Sequence, residues 1–169
     1  AVYAPRTASG GAKEFGEGVA RAVNTLSDTF GALQDPSMTL IQLPDGSVRS
    51  YAAPGVLLLA QRAWDAKVSE RTIAGLIGAQ WWGNGVLPAS AADVWISDGL
   101  ARYSEALYAE AATGREAGLR AIDEFAVGAM MYEDAAPVSQ AQHLAPGTSD
   151  YRSVVMNKGA MIFHMLRAQ

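Results

Sequence analysis

The side chains that could carry out chemistry are few in this chain of 169 residues. The two histidines, His143 and His164, have no second His or Cys at the spacing of metal ligands, so neither predicts a metal site. The absence of cysteine excludes disulfides and thiolate ligands. The sequence also lacks the G-x-S-x-G turn of serine hydrolases and a glycine loop that would cradle phosphate. These patterns predict neither nucleophilic nor phosphoryl-transfer chemistry.

Carboxylates remain as candidates for acid–base or metal chemistry. Asp98 lies four residues before Arg102, a spacing that predicts an ion pair along one helix face. We therefore expect a structural role for Asp98 before a ligand role. The other acidic candidates fall on predicted long helices, and we interpret them as solvated faces rather than as a glycosidase pair. They are Glu105, Glu110, Asp123, Glu124 and Glu133.

Composition narrows the class of protein. Half of the residues are hydrophobic and 18% are charged, which is typical of one globular domain with a substantial core. A net charge of −4 without a basic stripe argues against a nucleic-acid partner. The longest apolar run, around Val56–Ala60, is too short to span a bilayer, so no membrane partner is expected. No targeting leader is visible, and the compartment is left open.

Hydrophobic periodicity predicts a small strand region followed by helices. The predicted strands cover about 39–43 and 56–60, with turns around Pro36 and at Pro44–Ser47. The predicted helices cover about 12–32, 69–82, 89–112, 114–133 and 150–167, the second of them capped by Ser69. His143 is expected in a solvated loop and His164 in a partly buried position. Trp81 and Trp82 are expected in the core, with a peptide cleft as the alternative, and Met130 and Met131 in a core or an interface.

One helix carries a more specific pattern. The segment I-A-G-L-I-G-A-Q-W-W-G-N (Ile73–Asn84) resembles I-A-H-E-L-A-H-Q-W-W-G-N of the gluzincin zinc aminopeptidases, the membrane-alanyl aminopeptidase and leukotriene-hydrolase family. In that motif two His bind zinc and the Glu between them is the general base. The resemblance places Gly75 and Ala79 at the two ligand positions and Leu76 at the base position. None of these three side chains can bind a metal or move a proton.

Three further segments extend the resemblance from about residue 19 to the end of the chain. The segment D-V-W-I-S-D-G-L-A-R-Y (Asp93–Tyr103) resembles the family's W-L-N-E-G segment, and Asp98, separated from Ala79 by 18 intervening residues, stands where its third zinc ligand, a Glu, belongs. The segment Val155–Met161 is similar to V-x-Y-x-K-G-A, which puts Met156 at the position of the oxyanion-stabilising Tyr. Arg49–Gly55 matches the G-A-M-E-N-P-G strand, so Ala52 replaces the Glu that holds the substrate amine.

The resemblance implies an α+β, mainly helical, thermolysin-like (zincin-like) fragment in which 1–169 form a single peptidase-like domain of a longer protein. It also implies that zinc, the family's cofactor, is absent here. Two functions follow as expectations. The first is a catalytically inactive scaffold or peptide/protein interaction module, and the alternative is a metal-dependent aminopeptidase acting with unrecognised ligands. Expected partners are a peptide or protein, other domains of the parent chain, or a second copy. The last two are expected because the strands around Leu40 and Leu57 should lack their upstream neighbours and leave a sheet edge unpaired.

Overall fold

The N-terminal part of the chain builds a small β-sheet. The computed structural model describes residues 1–3, 9–33, 35, 37–44, 49–60 and 70–169, so the predicted cap Ser69, the turn residue Pro36 and turn residues 45–47 lie outside the description. The sheet has the spatial order β1-β2-β4-β3. Its strands are β1 (Val2–Tyr3), β2 (Thr39–Gln42), β3 (Tyr51–Ala53) and β4 (Val56–Leu59).

Both predicted strands are present, as β2 and β4, but their relation is not that of a simple hairpin. β2 and β4 run parallel, with Leu40 opposite Leu57. β3 lies between them in sequence and pairs antiparallel with β4, with Ala52 opposite Leu57. A parallel pair cannot be joined by a tight turn, and the stretch that contains β3 supplies the longer connection.

The prediction that the strands around Leu40 and Leu57 lack an upstream neighbour is wrong, although the sheet still has two edges. β1 pairs in parallel with β2, placing Val2 opposite Leu40, and β4 lies between β2 and β3. The amide of Leu40 also donates to the carbonyl of Ala1 at 2.8 Å. The edges of the sheet are therefore the two short strands β1 and β3.

Helices account for most of the described chain, which confirms the mainly helical α+β class. Gly114, with φ of +103°, makes the sharp break between the third and fourth helices that a side chain would disfavour. No helix of the described residues is long and apolar enough to cross a membrane. The helices are α1 (Ser9–Phe30), α2 (Glu70–Gly78), α3 (Val94–Thr113), α4 (Arg115–Met130), α5 (Ser149–Tyr151) and α6 (Gly159–Arg167), with short 3-10 turns at Ala91–Asp93 and Val138–His143.

The C-terminal helix changes its winding partway. α5 continues directly into a π-helical segment, Arg152–Lys158, and then into α6. The sequence predicts one regular helix here, so the π-helical segment was not foreseen. Such wide turns are rare and often lie at functional sites, and this one contains Met156.

The buried side chains form three clusters. The first joins α1, the sheet and α2, and its largest members include Leu26, Leu57 and Ile77. The second lies between α3, α4 and α6 around Phe125. The third gathers Tyr151 and Val155 of the C-terminal helix with Ala141. α2 and α3 pack against each other where these regions meet.

Two methionines that were expected in a core or an interface do not lie in any core. Met130 and Met131 end α4 with 63% and 71% of their surface exposed. The expectation that they occupy a core is therefore wrong, and an interface is the remaining interpretation.

Candidate functional site

The helices that carry Gly75, Ala79 and Asp98 pack closely because small residues face each other. A Cβ added to Gly78 of α2 would lie 2.6 Å from the Cβ of Ser104 and 3.3 Å from the carbonyl oxygen of Ala101, both on α3. The hydroxyl of Ser104 turns back along its own helix and donates to Leu100 O at 2.9 Å. The spacing between the two backbones therefore requires glycine at Gly78.

The space beside Gly75 is filled by a carboxylate. A Cβ at Gly75 would lie 2.7 Å from Oε1 and 2.9 Å from Cγ of Glu105 on α3. Glu105 is only 6% exposed, so the prediction that it lies on a solvated face is wrong. Its side chain occupies the volume into which any ligand at position 75 would extend.

Two arginines compensate the buried charge of Glu105. Arg102 Nη1 donates to Glu105 Oε1 at 2.6 Å, and Arg71 Nε lies 3.7 Å from Oε2. Burial raises the pKa of the Glu105 carboxyl above its usual range, and the charge of Arg102 opposes that rise. The carboxylate is a member of an ion network rather than an available base.

The same arginines connect further helices to this network. Arg71 forms a two-pronged pair with Glu124 of α4, which lowers the pKa of the Glu124 carboxyl. Arg102 Nε donates to Oδ1 of Asn157 at 3.1 Å, and its guanidinium lies 4.2 Å from the ring centroid of Phe125. The network therefore ties α2, α3, α4 and the π-helical segment together.

Asp98 has a different partner from the one predicted. Tyr151 Oη donates to Asp98 Oδ2 at 2.7 Å, whereas Arg102 is directed to Glu105 and Asn157. The predicted ion pair between Asp98 and Arg102 is therefore wrong. Burial raises the pKa of the Asp98 carboxyl, and the hydrogen bond from Tyr151 acts against that rise. Burial and the neighbouring Asp98 carboxylate also raise the pKa of the Tyr151 hydroxyl, so it remains a proton donor at neutral pH.

A glycine crossing places Asp98 next to the C-terminal helix. A Cβ on Gly99 would lie 2.9 Å from the backbone Cα and C of Gly159, and a Cβ on Gly159 would lie 2.9 Å from the carbonyl oxygen of Trp95. Backbone atoms cannot move aside as side-chain ends can. The contact therefore holds α3 against α6, with Asp98 beside the preceding turns of the C-terminal helix.

The remaining predicted positions border the same region without forming a reactive group. Met156 is partly buried and packs, as Trp95 and Leu144 do, on the cluster around Tyr151. Leu76 packs on the first core, and Ala79 follows the end of α2, partly buried. Ala52 lies in β3 and also packs on the first core. None of these four side chains has an atom that can donate or accept a proton.

Gln80 joins the sheet to the end of α2. Its Nε2 donates to Ala53 O at 3.1 Å, and the amide of Gly55 donates to its Oε1 at 3.0 Å. This buried amide thus holds the strand that carries Ala52 against the helix end beside Ala79.

The two tryptophans that follow Gln80, Trp81 and Trp82, pack against other side chains rather than lining an open cleft. Trp81 rests on the first core and donates to Gly31 O, and both rings meet Phe30 edge to face.

The two histidines have the exposures that were predicted, although His143 ends a 3-10 turn rather than lying in an irregular loop. His143 is exposed, and its nearest polar partner is the neighbouring Gln142 at 3.3 Å. His164 is partly buried, 3.4 Å from the hydroxyl of Tyr103. Neither joins a metal-binding group.

Zinc does not fit the side chains that meet here. Gly75 and Ala79 have no ligand atoms, and the Glu105 carboxylate beside Gly75 is bound to Arg102. Among the three ligand positions, Asp98 alone offers a carboxylate. A zinc site needs three or four N, S or O ligands. Across the described ranges, no three His, Cys, Asp or Glu side chains form such a group.

The sequence did not point to Tyr151 and Gln80 as functional candidates, and it placed Glu105 on a solvated face. Glu105 lies seven residues beyond Asp98, so both carboxylates share one face of α3, and that spacing was the available signal. Tyr151 and Gln80 make contacts between segments far apart in the chain. No local pattern would have identified those partners.

Comparisons with known proteins give the fold a name. A crystal structure of an M1 zinc metallopeptidase from Deinococcus radiodurans matches with a TM-score of 0.68 and 24% identity, over 89% of this chain and 32% of that one. A point mutant of that enzyme bound to a Tyr-Ser-Ala substrate matches at 0.66 and 25%, over 88% and 32%. A two-domain M1 mutant bound to L-tryptophan matches at 0.64 and 26%, over the same shares.

The fold is that of part of an M1 zinc metallopeptidase. These enzymes are gluzincins, the class that the four sequence segments resemble. The chain spans about a third of the length of the solved structures it matches. No family model and no curated protein matches the sequence.

Proposed function

We propose that this chain is a catalytically inactive, gluzincin-like domain that serves as a peptide or protein interaction module. The observation that supports this most strongly is the closed volume beside Gly75, where the Glu105 carboxylate lies 2.7 Å from the position of a Cβ. That carboxylate is already bound to Arg102. A metal at this point would lack ligands on α2 and would meet an occupied ion network.

The loss extends beyond the metal ligands. By the family resemblance, Leu76 replaces the general base, Met156 replaces the hydroxyl that stabilises the oxyanion, and Ala52 replaces the carboxylate that holds the substrate amine. Loss of one oxyanion donor alone costs about a hundredfold or more in rate. A peptidase mechanism would therefore lack its general base, its oxyanion donor and its amine-binding carboxylate.

Peptide binding needs none of those groups. Asp98 is partly exposed, and its partner among the described residues is the neutral hydroxyl of Tyr151 rather than an arginine or lysine. A carboxylate in this situation suits a ligand with an ammonium group. The Tyr-Ser-Ala substrate and the L-tryptophan held by the M1 structures each contain one. We infer that the free amine of a peptide is the group that Asp98 receives.

Two measurements on the purified chain test this function. Elemental analysis should find far less than one zinc per chain, and assays of aminoacyl-amide hydrolysis should find no zinc-dependent activity. Calorimetric titration should detect binding of Tyr-Ser-Ala, with N-acetylation of the peptide or Asp98→Asn weakening it by about tenfold or more. Asp28→Asn, at an exposed site on α1, is the matched control and should bind as the wild type does. Peptide affinity that ignores both acetylation and Asp98→Asn would contradict a role for this carboxylate.

The alternative is a metal-dependent aminopeptidase that acts with unrecognised ligands. It is favoured by the zinc metallopeptidases among the solved structures of the same fold and by a carboxylate at position 98. One zinc per chain, removable by a chelator together with aminopeptidase activity, would establish it and overturn our proposal.

A further inference from the structure

Helix α4 is apolar on two faces. Its inner face is buried against α3 and the C-terminal helix through Ala121, Ile122, Phe125 and Ala129. A helix that packs on one side normally presents charged and polar residues on the other. The second half of α4 does not, so its outer face needs an explanation that the fold itself does not supply.

The exposed apolar residues of this face form one patch at the end of the helix. Val127, Met130 and Met131 follow the i, i+3, i+4 spacing of a single helix face, with 60%, 63% and 71% of their surface exposed. Tyr132 follows directly and is 43% exposed. We call these four residues the α4 outer patch. Contiguous exposed apolar residues mark interaction surfaces more often than isolated ones do.

The patch is held in a fixed position rather than fraying. The amide of Tyr132 donates to the hydroxyl of Ser153 at 3.3 Å, and that hydroxyl donates to Ala129 O at 3.0 Å. Both bonds connect the end of α4 to the π-helical segment. Two adjacent methionines on a rigid base give a surface that adapts to a partner without moving its backbone.

The charges around the patch select the partner. Asp123 lies one turn before Val127, and Glu133 and Asp134 follow Tyr132 directly. All three are exposed, and none forms an ion pair within the described part of the chain. Lys158 donates to the backbone oxygen of Glu133, at 3.5 Å, rather than to a carboxylate. A second copy docking through the same face would bring these carboxylates against each other, and the whole chain is already acidic at −4. These three carboxylates, the acidic rim of the patch, would also repel an anionic lipid surface. It would attract lysines and arginines.

We propose that the α4 outer patch docks an amphipathic helix of a partner protein whose flanks are basic. The apolar face of that helix would cover Val127, Met130 and Met131. Its basic residues would meet Asp123 at one end and Glu133 and Asp134 at the other. Laying a helix onto an apolar surface with i, i+3 and i+4 anchors is a common mode of protein recognition. This interaction is independent of any ligand at Asp98.

A labelled amphipathic peptide of Leu and Lys is the probe, and fluorescence anisotropy is the measurement. Wild-type protein should bind it, and a peptide of the same apolar pattern with Glu in place of Lys should bind at least about tenfold more weakly. The double variant V127Q/M131Q should lose affinity by a similar factor. Leu87→Gln is the matched control, because Leu87 is also 71% exposed but lies outside the patch, and it should bind as the wild type does. Circular dichroism would verify that each variant is folded.

Three results would overturn the proposal. One is equal binding of the Lys probe by wild type and V127Q/M131Q, or no binding at all. Another is a concentration-dependent dimer that V127Q/M131Q dissolves, which would assign the patch to a second copy. The third is binding to anionic lipid vesicles that the same double variant abolishes, which would assign it to a membrane surface.

Discussion

Two carboxylates on one face of α3 differ in the charge of their partners. Glu105 and Asp98 are seven residues apart, and burial raises the pKa of both. Glu105 has two arginines within 3.7 Å, whereas Asp98 has one neutral hydroxyl at 2.7 Å. A buried charge that is fully compensated is committed to structure. One that is compensated only by a hydroxyl keeps the capacity to bind a cation from outside.

The largest effect is expected where the compensation is complete. Glu105→Ala leaves Arg102 and Arg71 without their shared partner, and removing one member of a buried pair costs about 3–5 kcal/mol. Urea denaturation would measure the loss in free energy of unfolding. Glu124→Ala removes a largely exposed partner of Arg71 and should cost less than about 1 kcal/mol. Similar losses in the free energy of unfolding for the two variants would show that Glu105 contributes no more to stability than an exposed ion-pair partner does.

The next effect concerns the crossing that brings Asp98 to Tyr151. Gly99→Ala would push a Cβ to 2.9 Å from the backbone of Gly159, and overpacking of this kind costs about 1–3 kcal/mol. Gly16→Ala in α1 is the control, because its Cβ would have only Val2 Cγ2 nearby, at 3.9 Å. That variant should be neutral or slightly more stable, since alanine favours helix. Thermal unfolding of the two variants should therefore shift in different directions.

Grafting the zinc-binding residues of the family onto this chain tests whether the space between position 75 and Glu105 can admit a metal ligand. Gly75→His, Leu76→Glu, Ala79→His and Asp98→Glu together supply three ligands and a base at helical spacing. We expect zinc binding, provided that the Glu105 side chain rotates away from position 75, where it now lies 2.7 Å from the position of a Cβ. Once moved, its carboxylate can accept a hydrogen bond from the new His, as carboxylates beside metal-bound histidines do. Adding Glu105→Gln to the graft should weaken zinc binding by about 10–100-fold. Competition with a chromogenic chelator gives both affinities.

The same graft should show little peptidase activity, because Met156 offers no donor to an oxyanion. Failure of the graft to take up zinc would mean that the helices cannot separate around the new side chains. Rapid aminopeptidase turnover would mean that another residue fills the role assigned by resemblance to position 156.

The smallest effect is expected at Asp98, and its sign should be reversed. Because burial makes the ionised form unfavourable there, Asp98→Asn should slightly raise the free energy of unfolding at neutral pH. The amide oxygen can still accept from Tyr151. Tyr151→Phe should instead lower stability by about 1 kcal/mol, because it leaves the partly buried carboxylate without its donor. Chemical denaturation at pH 7 compares the two variants, and a destabilised Asp98→Asn would show that this carboxylate, too, is structural.

Local patterns predicted the elements better than their contacts. The apolar spacing of Phe15, Val19 and Leu26 predicted α1 almost to its ends, and the β-branched and leucine run at 56–60 predicted β4. The parallel pairing of β2 with β4 was not predictable in this way, because it depends on where β3 folds back. β1 was missed because a two-residue strand has no periodicity to detect.

The sequence predicted which helices form the candidate site. It did not predict which side chains contact each other there. The spacing between Ala79 and Asp98 indicated that α2 and α3 belong together, and they pack. The burial of Glu105 was not predicted because small residues of α3 are buried on several faces of the helix; they include Ala101, Ser104 and Ala106. Such a helix has no clear polar face from which burial could be read.

The wide winding of Arg152–Lys158 has a consequence for how the chain can tolerate deletions. Each residue of an α-helix rotates the chain by about 100°, and a π-helical turn accommodates one residue more than an α-turn. Loss of a single residue within 152–158 would therefore restore regular winding and leave the residues after it close to their present orientation. Phe163 would then keep its stacking position 5.9 Å from Trp95, and Tyr151, which precedes the segment, would keep its place at Asp98. A single deletion between Gly159 and Phe163, where the winding is already regular, would instead turn Phe163 away from Trp95, so thermal unfolding should tolerate the first deletion better than the second.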